Sequence, residues 1–168
     1  IILSDEIYSN LTFEKNFKSI SDYCPTKTII SSGMSKWCGA GGWRLGYFVI
    51  PDNLSKIKES LKVLASETFS SVSAPVQFAA ISAYKNDHSV YISKSKKILE
   101  YVGNYVYENL KSNRILISKP MGGFYLMPEF LGMNYKTSEE MCNDLLKKTG
   151  VAMLPGSDFG FKKNKLIS

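Results

Sequence analysis

The 168-residue sequence predicts an α/β fold that is followed by a smaller α+β region. In its first part, short apolar runs alternate with helix-like stretches, a pattern typical of a mainly parallel sheet with helices on its faces. A long amphipathic stretch begins near Ser89, and beyond it two apolar runs flank a Pro/Gly turn. Because the pattern changes there, we expect one domain over 1–86 and a second over 87–168.

Three short strands are predicted in the first domain. Each is an apolar run of strand length with polar or glycine-rich neighbours, and the runs cover residues 1–4, 28–31 and 45–50. The first is expected to be a buried parallel strand, and Pro51 ends the third because proline cannot donate to a ladder.

Helices are predicted from apolar residues at helical spacing. One covers about 54–66, with Asp52 or Asn53 as its cap, and a shorter one covers about 75–85. The third is the long amphipathic helix, from Ser89 to about residue 112.

The second domain is expected to contain a hairpin, a helix and two further strands. "RILISK" and "FYLMPEF" are the hairpin strands, and "PMGG" is the turn between them. The helix covers 138–148, with Ser138 as its cap, lysines in its last turn and Gly150 as its stop. "VAML" (151–154) predicts a strand, "PGSDFG" a turn, and "FKKNKLIS" the entry to another strand.

Composition excludes several classes of function. The net charge is +6, but 19 of the 21 basic residues are lysines scattered along helix-like stretches, which argues against a nucleic-acid partner. No apolar run is long enough to span a membrane, and no signal peptide is visible. Three widely spaced cysteines and one histidine, His88, do not form a metal site, and they favour a reduced, cytoplasmic protein.

The residues that point to chemistry lie in "SSGMSKWCGAGGWRLGYF", at 31–48. Lys36 offers an amine that can form a Schiff base with an aldehyde. Arg44 offers a fork of donors suited to a phosphate, Ser35 adds a hydroxyl, and the glycines give a flat ligand room. An amine for an aldehyde beside a clamp for a phosphate matches pyridoxal phosphate, which carries both groups on adjacent ring carbons.

A carboxylate completes this set. Asp5 follows the first strand, and pyridoxal phosphate needs a carboxylate beside its ring nitrogen if the ring is to accept electrons. Tyr8 could reach the ring oxygen. Because ligands bind at the carboxyl ends of parallel strands, we expect Asp5, Tyr8 and Lys36 to lie near one another.

"SDEIY", followed about 30 residues later by "GMSKWCGAGGWRLG", resembles the fold-type I, class I/II aminotransferases, and "PMGGFYLMP" and "GVAMLPGSDFG" resemble small-domain segments of that family. The resemblance extends from Asp5 to Gly160 and implies the tail of a PLP-binding large domain followed by most of the C-terminal small domain. It implies amino-group transfer between an L-amino acid, with aspartate or a broad range as donors, and a 2-oxo acid. It further implies that a full-length parent is an aspartate aminotransferase-like homodimer.

The resemblance also implies a role for each residue. Lys36 would form the Schiff base with pyridoxal phosphate and shuttle the proton, Asp5 would pair with the pyridine nitrogen and Tyr8 with the ring oxygen, and Ser35 and Arg44 would hold the phosphate. Many relatives have serine where Gly33 stands. The family's late arginine, which holds the substrate carboxylate, has no counterpart after Arg114. Because the resemblance also leaves out the family's N-terminal half, we expect a C-terminal fragment with a truncated small domain that is inactive by itself.

Alternatives remain open. A C–S lyase or a synthase that makes a cyclopropane amino acid would use the same Lys, Asp and Arg set. An aminotransferase-like regulatory domain would bind an effector without turnover. A nucleotide-binding α/β domain would show no aldehyde chemistry at Lys36. We expect His88 to be exposed and Cys38 to pack within its turn.

Overall fold

The computed structural model describes residues 1–13 and 17–161, and the chain divides into two compact units, Ile1–Lys96 and Lys97–Ser168. The boundary between the units falls inside a helix, and the predicted domain boundary at 86/87 stays a prediction. None of the helices in the described ranges is both long and apolar enough to cross a bilayer. The strand expected in "FKKNKLIS" falls almost wholly outside the described residues.

The first unit contains a three-stranded sheet in the order β1-β2-β3. The strands are β1 (Ile2–Asp5), β2 (Thr28–Gly33) and β3 (Gly46–Val49), close to their predicted positions. β1 and β2 are parallel, as predicted, while β3 runs antiparallel to β2. The prediction that β1 is buried is wrong, because three of its four residues are exposed. A parallel pair requires a long connection such as the one between β1 and β2. The shorter, 12-residue loop after β2 reverses the chain direction, so β3 pairs antiparallel with β2.

Helices α1 (Ser55–Thr68) and α2 (Ala74–Lys85) follow the sheet, and α3 (Ser89–Leu110) runs across the boundary between the units. The capping prediction for the first helix is wrong. Asp52 and Asn53 lie in a separate 3-10 turn before α1, and the Asn53 amide instead donates to the Thr26 carbonyl at 2.8 Å. Neither side chain caps α1, because Leu54 is the residue that directly precedes the helix.

The core of the first unit lies between α2 and the loop that joins β2 to β3. Met34 and Ala40 of the loop are buried together with Ala80 of α2, and Cys38, Leu45 and Ala83 pack against them. Cys38 therefore packs within its turn, as expected. The loop that carries Lys36 is thus anchored by buried apolar side chains, although it has no regular ladder of its own.

The second unit contains β4 (Ile115–Leu116), β5 (Glu129–Phe130) and α4 (Ser138–Thr149). β4 and β5 pair antiparallel, but they are two residues long and a 12-residue segment joins them, so the predicted tight hairpin is wrong. Pro120 and the fully buried Pro128 lie in that segment. Since proline has no N–H to give to a ladder, the pairing cannot extend through them.

Two further predictions in this unit need correction. The cap of α4 is Thr137, whose hydroxyl accepts from the Glu140 amide at 3.1 Å, and Ser138 is the first helical residue. Residues 151–154 do not form the predicted strand, because no described segment pairs with them. Instead, Met153 packs against the buried Met141 and Cys142. Gly150 ends the helix at φ 75°, as predicted.

Candidate active site

Asp5 is the last residue of β1, and it lies at the carboxyl edge of the parallel strand pair. Its register partner on β2 is Ser31. The side chain is exposed, and its Oδ1 accepts a hydrogen bond from the amide of Ile7 at 3.2 Å. This bond fixes one oxygen of the carboxylate and leaves acceptor capacity on both oxygens for a ligand.

Tyr8 and Lys36 are brought together, although 28 positions separate them in the sequence. Lys36 stands three residues beyond the end of β2, and its Nζ lies 5.6 Å from the centroid of the Tyr8 ring. That distance is within the range of a cation–π interaction. Both residues are half-buried. The amine and the phenol are therefore in reach of one ligand.

The loop over 34–45 closes on itself through backbone hydrogen bonds. At its ends, the amide of Met34 donates to the Leu45 carbonyl at 3.4 Å. Inside it, the amide of Gly39 donates to the Lys36 carbonyl at 3.3 Å. At Gly33, a Cβ atom would lie 2.7 Å from the Leu45 carbonyl oxygen, closer than real Cβ atoms approach. Serine therefore cannot replace Gly33 unless the strand ends separate.

Ser35 and Arg44 lie at opposite ends of the same loop. Ser35 is half-buried, and Arg44 is exposed with φ 57°, in the left-handed region. One guanidinium N–H of Arg44 donates to the carbonyl of Gly41 at 2.8 Å. Since arginine has five N–H donors, the others can still bind an anion.

Glu6 is a residue that sequence reasoning missed. It follows Asp5 directly, yet it is only 9% exposed. Its Oε1 accepts hydrogen bonds from the hydroxyls of Ser4, at 3.1 Å, and Ser19, at 2.6 Å. Glu6 thus ties the end of β1 to a segment 13 residues away. The only signal in the sequence was a second acid in "SDEIY".

Replacing Glu6 with alanine is expected to lower the free energy of unfolding by about 1–3 kcal/mol, since the Ser4 and Ser19 hydroxyls lose their acceptor. Urea unfolding followed by circular dichroism measures this change. The matched control is Glu67→Ala, which removes an exposed glutamate of α1 and should change stability by less than about 0.5 kcal/mol. Equal effects of the two substitutions would contradict the role given to Glu6.

An aromatic cluster lies beside the lysine loop, and its residues are Trp37, Tyr47 and Tyr84. The Tyr84 ring meets Trp37 at 5.5 Å and Tyr47 at 5.6 Å between ring centroids, both edge to face. Tyr84 is 45% exposed, and the burial of the rest of its side chain raises its pKa to about 12; a hydrogen bond with Tyr47 acts in the same direction. Sequence reasoning missed this cluster, because its members come from the loop, β3 and α2.

The raised pKa of Tyr84 makes stability depend on alkaline pH. The folded-state pKa exceeds the ordinary value of 10.0, so the contribution is fully present below pH 10 and is lost as pH rises towards 12. We expect the Tyr84→Phe variant to lose less stability than the wild type between pH 10 and 12. Denaturation midpoints measure this, and Tyr23→Phe, at an exposed tyrosine, should behave as the wild type.

Comparisons with known proteins show the family of the chain. The model of the family "Aminotransferase class I and II" matches residues 1–166. The chain is 34% identical to the probable N-acetyl-LL-diaminopimelate aminotransferase of Bacillus subtilis. The match covers 94% of this chain and 39% of that protein. It is 33% identical to the aspartate aminotransferase of Geobacillus stearothermophilus, and the match covers all of this chain and 44% of that one.

A solved structure extends the likeness to the fold. The alanine aminotransferase of Pyrococcus furiosus superposes with a TM-score of 0.86 at 34% identity, over 98% of this chain and 43% of that one. The fold class predicted from the sequence is therefore confirmed. The chain spans about two fifths of the length of these relatives. Its sequence and its fold together show that it belongs to the class I and II aminotransferases.

Proposed function

We propose that the complete protein containing this chain is a pyridoxal phosphate-dependent enzyme that moves an amino group between an L-amino acid and a 2-oxo acid. The observation that carries the proposal is the position of Lys36, with its amine over Tyr8 and three residues beyond a strand that pairs with the strand ending at Asp5. Since the chain corresponds to about two fifths of its relatives, residues 1–168 alone are proposed to be inactive.

The donor set of the chain fits pyridoxal phosphate. Lys36 supplies the amine for the aldehyde, the Asp5 carboxylate accepts from the pyridine N–H, and the Tyr8 phenol donates to the ring oxygen. Arg44 and Ser35 supply donors for the phosphate, with one Arg44 N–H already bound to Gly41. When bound, the cofactor supplies an electron-withdrawing ring that stabilises negative charge at the substrate α-carbon.

Lys36 and Asp5 would have different roles in proton transfer. The Nζ of Lys36 would act as the base that takes the proton from the α-carbon of the amino acid and gives it back during the transfer. Asp5 keeps the proton on the pyridine nitrogen, because a carboxylate at hydrogen-bond distance favours the charged form of that group. The Ser4, Ser19 and Glu6 contacts hold the segment that begins at Asp5.

The finer assignments rest on the relatives. Their names include aspartate, alanine and N-acetyl-LL-diaminopimelate aminotransferases, so we propose aspartate or a broad range of amino acids as donors. We also propose a homodimer for the complete protein. A cytoplasmic location is supported by Cys24, Cys38 and Cys142, all of which are free thiols.

A half-reaction experiment tests the proposal. The complete protein is loaded with pyridoxal phosphate and mixed with single amino acids, and the products are identified by mass spectrometry. We expect pyridoxamine phosphate and the matching 2-oxo acid, without ammonia. Pyruvate with ammonia and no pyridoxamine phosphate would contradict transamination and favour a C–S lyase. Cofactor attachment without any product would favour a regulatory domain.

A further inference from the structure

Trp37 anchors the lysine loop one residue away from the reactive amine. Its side chain is only 6% exposed, whereas the adjacent Lys36 is half-buried with its Nζ over Tyr8. Adjacent Cα atoms are about 3.8 Å apart, so the placement of Trp37 constrains the backbone from which Lys36 extends. A lysine side chain is long and flexible, and such a constraint limits where its amine can go.

Tyr84 of α2 packs against Trp37 of the lysine loop. It also contacts β3, the strand that follows the loop. Its ring packs edge-on against Trp37 with an interplanar angle of 60°, and against Tyr47 with an angle of 84°. Edge-to-face pairs of this kind add stability beyond the area that they bury. Tyr47 belongs to β3, where it is the register partner of Ser32 on β2. Tyr84 therefore links the lysine loop to the strand that follows it.

The same helix supplies further support next to Tyr84. Ala80 is buried against Met34 and Ala40, and Ala83 packs beside them. His88, which lies just after α2, contacts the Trp37 ring at 6.0 Å. The expectation that His88 is exposed is wrong, since its Nε2 is buried and has no hydrogen-bond partner in the described residues. Trp37 is thus enclosed by aromatic rings on the α2 side.

We propose that Tyr84 is a positioning residue for Lys36. By packing against Trp37 and Tyr47 it fixes the loop that carries the lysine, and so it sets how fast the lysine amine captures an aldehyde. This inference rests on the proposed function, because it assigns to Lys36 the capture of pyridoxal phosphate. Tyr84 itself does not touch the reacting atoms in this assignment.

The test measures the capture step without any turnover. The complete protein, freed of cofactor, is mixed with pyridoxal phosphate and quenched with borohydride at successive times. The Nζ amine adds to the aldehyde carbon and the aldehyde oxygen leaves as water; borohydride then gives hydride to the new C=N bond, and solvent gives the proton. Peptide mass spectrometry follows the adduct at Lys36 and, as an internal reference, at the other lysines.

We expect Tyr84→Ala to slow adduct formation at Lys36 about tenfold, since small misplacements of a reacting group have large effects on rate. The other lysines should react as in the wild type. Tyr84→Phe keeps both ring contacts and should restore the rate to within about twofold of the wild type. Phe78→Ala, which removes a 74% exposed ring from the same helix, should leave the rate unchanged.

The possible outcomes separate the two proposals. A wild-type protein that forms no adduct at Lys36 would overturn both the proposed function and the role of Tyr84. Capture at the wild-type rate by Tyr84→Ala would overturn the positioning role alone. If circular dichroism shows that Tyr84→Ala is unfolded, the same measurement is made on Tyr84→Leu. Leucine keeps a large apolar side chain but has no aromatic ring. A wild-type rate in that variant overturns the role equally.

Discussion

The Lys36→Ala variant of the complete protein is expected to lose amino-group transfer by at least about 10³-fold in kcat, because the amine that attaches the cofactor and moves the α-proton is gone. In the wild type that amine lies 5.6 Å from the centroid of the Tyr8 ring, near the carboxyl edge of the β1–β2 pair. Release of 2-oxo acid from an amino acid, followed by a coupled assay, measures the loss. Borohydride trapping should find no adduct in the peptide that contains position 36.

The matched control is Lys27→Ala. Lys27 is exposed, belongs to the same compact unit and closes the 3-10 turn directly before β2, so it sits at the opposite end of the strand that leads to Lys36. This variant should keep full activity and the adduct at Lys36. Activity of Lys36→Ala close to that of the wild type would show that the attachment site lies elsewhere.

The Asp5→Asn variant is expected to reduce kcat by on the order of 10²-fold, since losing one preorganised electrostatic partner of a developing charge has effects of that size. An asparagine fits the same space, but a neutral amide cannot favour the charged pyridinium as a carboxylate does. The fold should be unaffected, because the side chain is exposed and an asparagine oxygen can still accept from the Ile7 amide. Single-turnover kinetics with a preferred amino acid measures the change.

Asp22→Asn serves as the control for Asp5, because Asp22 is an exposed aspartate in the 3-10 turn Ile20–Asp22 of the same unit. It should leave kcat unaltered. If Asp5→Asn retained wild-type kcat, Glu6 would be the next carboxylate to consider. Its engagement by Ser4 and Ser19 argues against that, since these bonds occupy the Oε1 atom inside the fold.

The sequence predicted the placement of Asp5 and Lys36 because that placement depends on local information. The apolar runs predicted β1 and β2. Because ligands bind at the carboxyl ends of parallel strands, both residues were expected at that edge of the sheet. The same reasoning located the helices within a few residues. The helix caps were predicted less well, because a cap depends on a single side chain. At the start of α4 the cap is Thr137 rather than Ser138.

Other features could not be predicted because they arise from packing between distant segments. Glu6 looked like another surface acid until Ser19 was found beside it, and Tyr84 looked like one more residue of a short apolar helix. The hairpin prediction failed for a different reason. It counted strand-forming residues and overlooked that Pro128, inside the second predicted strand, withholds a donor that a ladder needs.

The left-handed backbone at Arg44 affects which substitutions are accepted at this position during evolution. A φ of 57° costs a residue with a side chain roughly 1 kcal/mol, while glycine adopts it without strain. Stability by itself therefore favours glycine at position 44, and only a demand for positive charge favours arginine. A mutational scan that scores abundance and growth separately should find glycine enriched on the first scale and depleted on the second, which would mark position 44 as a site where selection for function opposes selection for folding.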